Sequence, residues 1–269
     1  RDLSNTNLAS FYKPNDNVYH PEFSVWNQKD STLILYTKVL PEEFLYVRQP
    51  DNGYKSFVKI IAEVVRSYDN TKVLDSISSV FSFDILDKSI QQVLSMKVPV
   101  KQNGELKLRI VIYDLNKGAY EDYFVPLEIN STISRNDFAF TDKAGNIILK
   151  NYFNQSDSFM IHYKDPGIRT LWCKHYKRQF LLPAPPFSFD IKTEFDYTPD
   201  SLFQISVNDS TLVNLPEEGF YHLQSDTTIK EGGTIFRFES GYPNVSKQQQ
   251  LLESLRYLTS KKESEEMQK

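Results

Sequence analysis

The sequence has one cysteine in 269 residues, Cys173, which rules out an internal disulfide and any cysteine-rich zinc module. Glycine is scarce, at 9, and no G-x-G-x-x-G or Walker-type loop occurs. That leaves little material for a phosphate cradle and disfavours doubly wound nucleotide-binding folds. There is no basic excess: 31 Lys and Arg stand against 35 Asp and Glu, a formal net charge of −4. Nucleic acid is therefore not an expected partner. No window approaches 18 consecutive apolar residues, which argues against a transmembrane helix in this stretch. An initiator Met and a charged-then-apolar leader are also missing, so the chain reads as a processed or trimmed product.

Aromatics are plentiful, with 19 Phe and 16 Tyr. Such side chains fit a pleated, half-buried surface, so the composition favours strands. The length suggests about two domains at ~150 residues each. After a polar lead-in over residues 1–20, alternating segments recur at roughly ten-residue spacing, the pattern of an all-β sandwich or barrel. Leu33 and Leu35 alternate, as do Val58, Ile60, Ala62 and Val64. Leu94, Met96, Val98 and Val100 share one face, and Leu106, Leu108, Ile110 and Ile112 another. Asn103-Gly104 between these last two runs predicts a type I′ hairpin. Asp114 to Gly118 predicts a second, with Gly118 at a left-handed position.

We read a first sandwich over 21–130 and a second over 131–240, each of about seven strands and immunoglobulin-like. Pro183, Pro185 and Pro186 mark an extended crossover or edge, since each removes a ladder donor. Over 241–269 the period changes. Ser246 and Gln249 fit a capping box, and Leu251, Leu252, Leu255 and Leu258 form one apolar stripe. This predicts an amphipathic interaction helix over 246–268, docked by its first turns on the second sandwich.

No catalytic residue is nominated. There is no G-x-S-x-G elbow and no H-E-x-x-H helix. Glu42-Glu43 and Glu217-Glu218 are adjacent turn residues, read as solvated charge. Cys173 and His175 share a strand face, with His162 on the preceding strand, but no further ligand at fixed spacing is visible. We read a buried structural thiol and a rim histidine, and expect neither metal nor cofactor. Tyr152, Phe153, Tyr163, Trp172 and Tyr176 cluster in neighbouring strands. Core packing is one reading of them. The other is an exposed platform for sugar or protein, with Tyr152, Tyr163, Trp172 and Tyr176 as binding residues.

Three blocks in the second half carry a family resemblance. They are Tyr176-Lys177-Arg178-Gln179-Phe180 leading into Leu182–Ser188, then Glu218-Gly219-Phe220-Tyr221-His222-Leu223-Gln224, and Leu255-Arg256-Tyr257-Leu258-Thr259 with Ser260–Glu263. In this order and spacing they resemble the GWxTD-domain proteins of the Bacteroidota, best over residues 131–265. The Gly-Trp-x-Thr-Asp motif that names the family is expected downstream, absent from this chain. The resemblance implies a cell-envelope, outer-membrane-associated setting, periplasmic or at the cell surface, through a lipid anchor outside these residues. The expected function is a non-catalytic protein-interaction module, an accessory subunit of an outer-membrane assembly or secretion complex partnered by other envelope proteins. The alternative is a carbohydrate-binding sandwich at the cell surface.

Overall fold

The computed structural model describes residues 19–28, 32–69, 72–129, 133–177 and 198–238. The chain divides into two compact units, Arg1–Asn130 and Ser131–Lys269. Both are built from β-strands, and the described residues hold no helix longer than a single 3₁₀ turn. None is therefore long and apolar enough to cross a membrane.

In the first unit, β1 (Glu22–Gln28), β2 (Thr32–Val39) and β6 (Gln92–Pro99) form one antiparallel sheet in the order β1-β2-β6. A second sheet contains β3 (Val47–Arg48), β4 (Tyr54–Val65), β5 (Asp75–Asp84), β7 (Gly104–Asp114) and β8 (Ala119–Ile129). Here β4 is central, paired along one edge with β5 and along the other with β7. The alternating runs turn one face of each sheet inward. Leu33, Leu35 and Val98 meet Val58, Ile60, Ala62, Leu108, Ile110 and Ile112 in a shared core. The unit is a sandwich-like pair of sheets.

The hairpin expected at Asn103-Gly104 is not formed. β6 pairs with β2 and β7 with β4 and β8, so the connection crosses between sheets. Gly104 takes a positive φ of 119°, but it starts β7 rather than closing a two-residue turn. Val100 is buried in this crossing, which fastens it to the core instead of looping it into solvent. The turn at Asp114–Gly118 does join β7 to β8, with Gly118 N–H donating to Asp114 O at 2.9 Å. Asp114 is fully buried. Its Oδ1 accepts from the Asn116 and Lys117 amides, and its Oδ2 accepts from Leu45 N–H, 69 residues earlier.

In the second unit, β9 (Phe138–Thr141), β10 (Ile147–Ile148) and β12 (Met160–Tyr163) form a small antiparallel sheet, β10-β9-β12. The larger sheet joins β11 (Tyr152–Phe153), β13 (Thr170–Lys177), β14 (Ser201–Ser206), β15 (Gly219–Gln224) and β16 (Gly233–Arg237) in the order β11-β16-β15-β13-β14. Among the described strands only β11 and β16 pair in parallel. Phe140, Phe153, Phe159, Ile161, Leu171, Cys173, Tyr221, Leu223 and Ile235 fill the core. Phe153 and Phe159 stack with centroids 3.7 Å apart. Gly233 lets the sheets approach closely, since a Cβ there would lie 2.5 Å from the Phe138 ring. Tyr221 ties its strand to the turn before it, its hydroxyl donating to Glu217 O at 2.6 Å and accepting from Glu217 N–H at 3.0 Å. The expected proline crossover at 183–186 and the helix over 246–268, with Leu251, Leu252, Leu255 and Leu258, lie outside the described residues.

Candidate functional site

Strand parity divides the larger sheet of the second unit into two chemically different faces. On β13, Leu171, Cys173 and His175 point into the core, while Trp172, Lys174 and Tyr176 take the opposite side, half-buried. The pairing register aligns the outer residues in rows. Tyr176 lies opposite Phe220, Phe220 opposite Phe236, and Phe236 opposite Tyr152. Four strands thus contribute one aromatic each to a row running from β13 through β15 and β16 to β11. Phe220 and Phe236 meet edge to face at 5.4 Å, a favoured geometry for aromatic quadrupoles. Phe238 stacks on Phe236 at 5.8 Å, and Lys150 Nζ sits 5.0 Å from the Tyr152 ring centroid.

A more polar row runs beside it. Lys174 is opposite His222, and His222 opposite Thr234. Lys174 Nζ donates to Thr227 O at 3.0 Å. His222 Nε2 lies 3.0 Å from Lys230 O, and its Nδ1 lies 2.8 Å from Thr234 Oγ1. Burial pushes the His222 pKa down, so the neutral ring is favoured. A carbonyl only accepts, which places the ring proton on Nε2 and leaves Nδ1 to accept from the Thr234 hydroxyl. Tyr176 and Phe220 of the aromatic row, the polar row and the Thr228–Lys230 turn border a cavity of about 730 Å³, lined chiefly by Lys174, Tyr176, Phe220, His222, Ile229 and Thr234. Flat rings, hydroxyl and amide groups and two cationic stems suit it to binding. Among the described residues, no group of three or more His, Cys, Asp and Glu could hold a metal ion.

The structure brings together three of the four expected platform residues, Tyr152, Trp172 and Tyr176, on this outer face. Tyr163 is corrected: it is only 6% exposed and packs in the core against Phe138 at 5.4 Å. Its strand parity pairs it with Ile161, on the buried side of β12. Phe153 is likewise core, not platform. His175 is corrected from rim to interior, stacked on Tyr221 at 4.4 Å. Beside it Cys173 is fully buried, and burial pushes its thiol pKa up to about 12. His162 lies near Thr141 Oγ1 at 2.8 Å on the other sheet. Sequence reasoning misses Phe220 and Phe236. Both stand at outward positions in their strands, but only the register reveals that they continue the row from Tyr176.

Similarity to known proteins falls on β15, β16 and the C-terminal residues. The family model of the GWxTD domain matches residues 219–269. This match supports the family resemblance and corrects one expectation: the family's namesake domain is present in the chain, not confined to a region downstream. The GWxTD match includes Phe220 and His222 on β15, Thr234 on β16 and the Thr228–Lys230 turn, so most of the cavity wall falls within it, with Lys174 and Tyr176 outside. Comparison with curated proteins gives no match.

Proposed function

We propose that the chain is a non-catalytic protein-interaction module of the cell envelope, serving as an accessory subunit of an outer-membrane assembly or secretion complex. The observation that carries this reading is the aromatic row Tyr152–Phe236–Phe220–Tyr176. The opposite face of that sheet already forms the core, so these rings are not needed to hold the two sheets together. Aromatic residues are enriched where protein surfaces meet. The envelope setting and a lipid anchor outside these residues are what the resemblance to GWxTD-domain proteins implies, and the domain match over 219–269 supports that resemblance.

In this reading the units are tandem immunoglobulin-like sandwiches followed by an amphipathic helix. Two features of the second unit support the fold assignment. Its larger sheet carries a parallel strand beside the last strand, and Tyr221 bonds back to the backbone four residues upstream, as tyrosine corners do. The test is recovery of partners from detergent-solubilised envelopes by the wild-type chain and by a Phe220→Glu/Phe236→Glu variant. A stoichiometric envelope partner held by the first and lost by the second is expected. Failure of the wild-type chain to hold any stable partner would refute the reading.

The cavity favours a second reading, a carbohydrate-binding module. Sugar rings stack on flat aromatic faces, and Tyr176 and Phe220 stand beside Lys174, His222 and Thr234. Calorimetric titration with envelope polysaccharides should then give binding that Tyr176→Ala abolishes. Absence of any heat with the wild-type chain would remove this alternative.

A further inference from the structure

We propose that the cavity of the second unit binds an acidic saccharide, its pyranose ring stacked on Tyr176 and Phe220 and its carboxylate or sulfate group met by the ammonium groups of Lys174 and Lys230. This deepens the carbohydrate reading of the cavity and rests on it.

The wall is built in advance. Three carbonyls of the Thr227–Lys230 segment are tied down by outward side chains of the sheet. Thr227 O accepts from Lys174 Nζ at 3.0 Å, Ile229 O from Gln224 Nε2, and Lys230 O from His222 Nε2 at 3.0 Å. A segment fastened at three points has little freedom left to lose when a ligand enters. The volume of about 730 Å³ falls in the range of small-molecule sites.

Charge selects for an anion. Two lysines and no acid line the cavity. Lys150, Lys164 and Lys177 of the same unit each have a carboxylate oxygen at 2.7–3.3 Å. Among the described residues Lys174 and Lys230 are in no such pair. Asp226, the acid just before the segment, commits its Oδ1 to the Thr228 amide and hydroxyl. His222 is neutral with both ring nitrogens engaged, so the lysines alone supply the positive charge.

Two acceptors select for hydroxyl groups. Thr234 gives its proton to His222 Nδ1 and keeps its capacity to accept. Gln224 is 1% exposed, its Nε2 is spent on Ile229 O, and its Oε1 has no partner among the described residues. A buried acceptor left unmet beside a cavity calls for a donor. Sugar hydroxyls supply donors, whereas a bare inorganic anion supplies none. Spacing agrees with this. Lys174 and Tyr176 lie two residues apart on one face of β13. That step is about 7 Å, which one pyranose ring with its exocyclic acid group bridges.

The test is calorimetric titration of the full chain with trigalacturonic acid and with sulfated galactotriose. Their uncharged counterparts, the methyl ester and plain galactotriose, are run beside them, as is inorganic sulfate. At least one acidic trisaccharide should bind about tenfold tighter than its counterpart, and which one does so tells carboxylate from sulfate. Lys174→Gln and Lys230→Gln should each reduce that preference about fivefold, the worth of a partly screened ion pair. Lys230 enters the wall through its backbone carbonyl, so Lys230→Gln keeps the test sound even where Lys174→Gln loosens the turn. Equal binding of charged and uncharged forms, or a preference that survives both substitutions, would overturn the proposal and leave the carbohydrate reading standing. Binding of no saccharide would overturn both. Inorganic sulfate binding as tightly as the acidic trisaccharides would reduce the site to one for an adventitious ion only.

Discussion

Gly219→Ala should destabilise the second unit and open the wall of the cavity. Gly219 has φ of +139°, a region that residues with a Cβ rarely occupy. A Cβ placed there would lie 2.2 Å from the Tyr176 carbonyl oxygen and 2.9 Å from His175 Nε2. Relief demands that the start of β15 move by more than about 1 Å, since non-bonded heavy atoms settle near 3.5 Å. That movement falls on the Lys177–Gly219 and Tyr176–Phe220 pairings, where β13 meets β15. Backbone strain of about 2 kcal/mol and one weakened ladder bond of about 1 kcal/mol sum to roughly 3 kcal/mol. For a unit of this size the midpoint should fall by on the order of 10 °C. Gly145→Ala is the control within the same unit. Its φ is +87°, but a Cβ there meets nothing within 4 Å, so only the left-handed penalty of about 1 kcal/mol applies. Thermal unfolding followed by near-ultraviolet circular dichroism compares the two. If Gly219→Ala melts as high as Gly145→Ala, the close approach of β15 to β13 is not what requires this glycine.

Four further outcomes are expected. Asp114→Ala leaves three backbone amides without their buried acceptor and should cost the first unit about 3 kcal/mol in urea unfolding, with Asp114→Asn recovering part of it. Tyr221→Phe removes the bonds to Glu217 and should cost about 1 kcal/mol in the second unit, with no change in the first. Cys173 should react with a thiol reagent only on unfolding, because it is fully buried and its pKa is raised to about 12; rapid native labelling would contradict this. Burial lowers the pKa of His162 and of His222 below the ordinary value of 6.5. Below that pH the unfolded chain binds more protons than the folded one, so stability is full above pH 6.5 and declines as pH falls toward the folded pKa. Between pH 7 and 5.5 the wild-type second-unit midpoint should fall by more than that of the His162→Gln/His222→Gln variant, and an equal or smaller fall would contradict it.

The sequence is most legible where local pattern and tertiary demand coincide. The alternation of β4 and β7 can be read directly because each strand is central and packs one face on the core. The Asp114–Gly118 turn is legible because its aspartate and glycine close it locally. The connection before Gly104 misleads because turn chemistry is blind to which strands will pair. The same Asn-Gly step fits a hairpin or a crossing, and the pairing of β6 with β2 decides between them. Tyr163 misleads because β12 has only four residues, three of them able to pack in a core, so parity cannot be read from its letters. The aromatic face is half legible. Trp172 and Tyr176 share a face of one strand, whereas Tyr152, Phe220 and Phe236 join them only through the register across strands.

The parallel pairing of β11 with β16 has a consequence for the order in which the chain acquires structure. Tyr152 and Phe153 find their partners at Phe236 and Arg237, more than 80 residues later (236 − 152 = 84). During synthesis from the N-terminus, the first unit has its described strands available once Ile129 has emerged, whereas the second waits for β16, which ends at Arg237. Such distant pairing makes closure slow, because the loop must be gathered before the contacts reward it. Throughout that interval the edge of β11 and the inward rings of Phe153 and Phe159 stay accessible to other chains. The two halves of the protein therefore mature on different clocks. The half that bears the candidate site is the later of the two and the more exposed to misassembly.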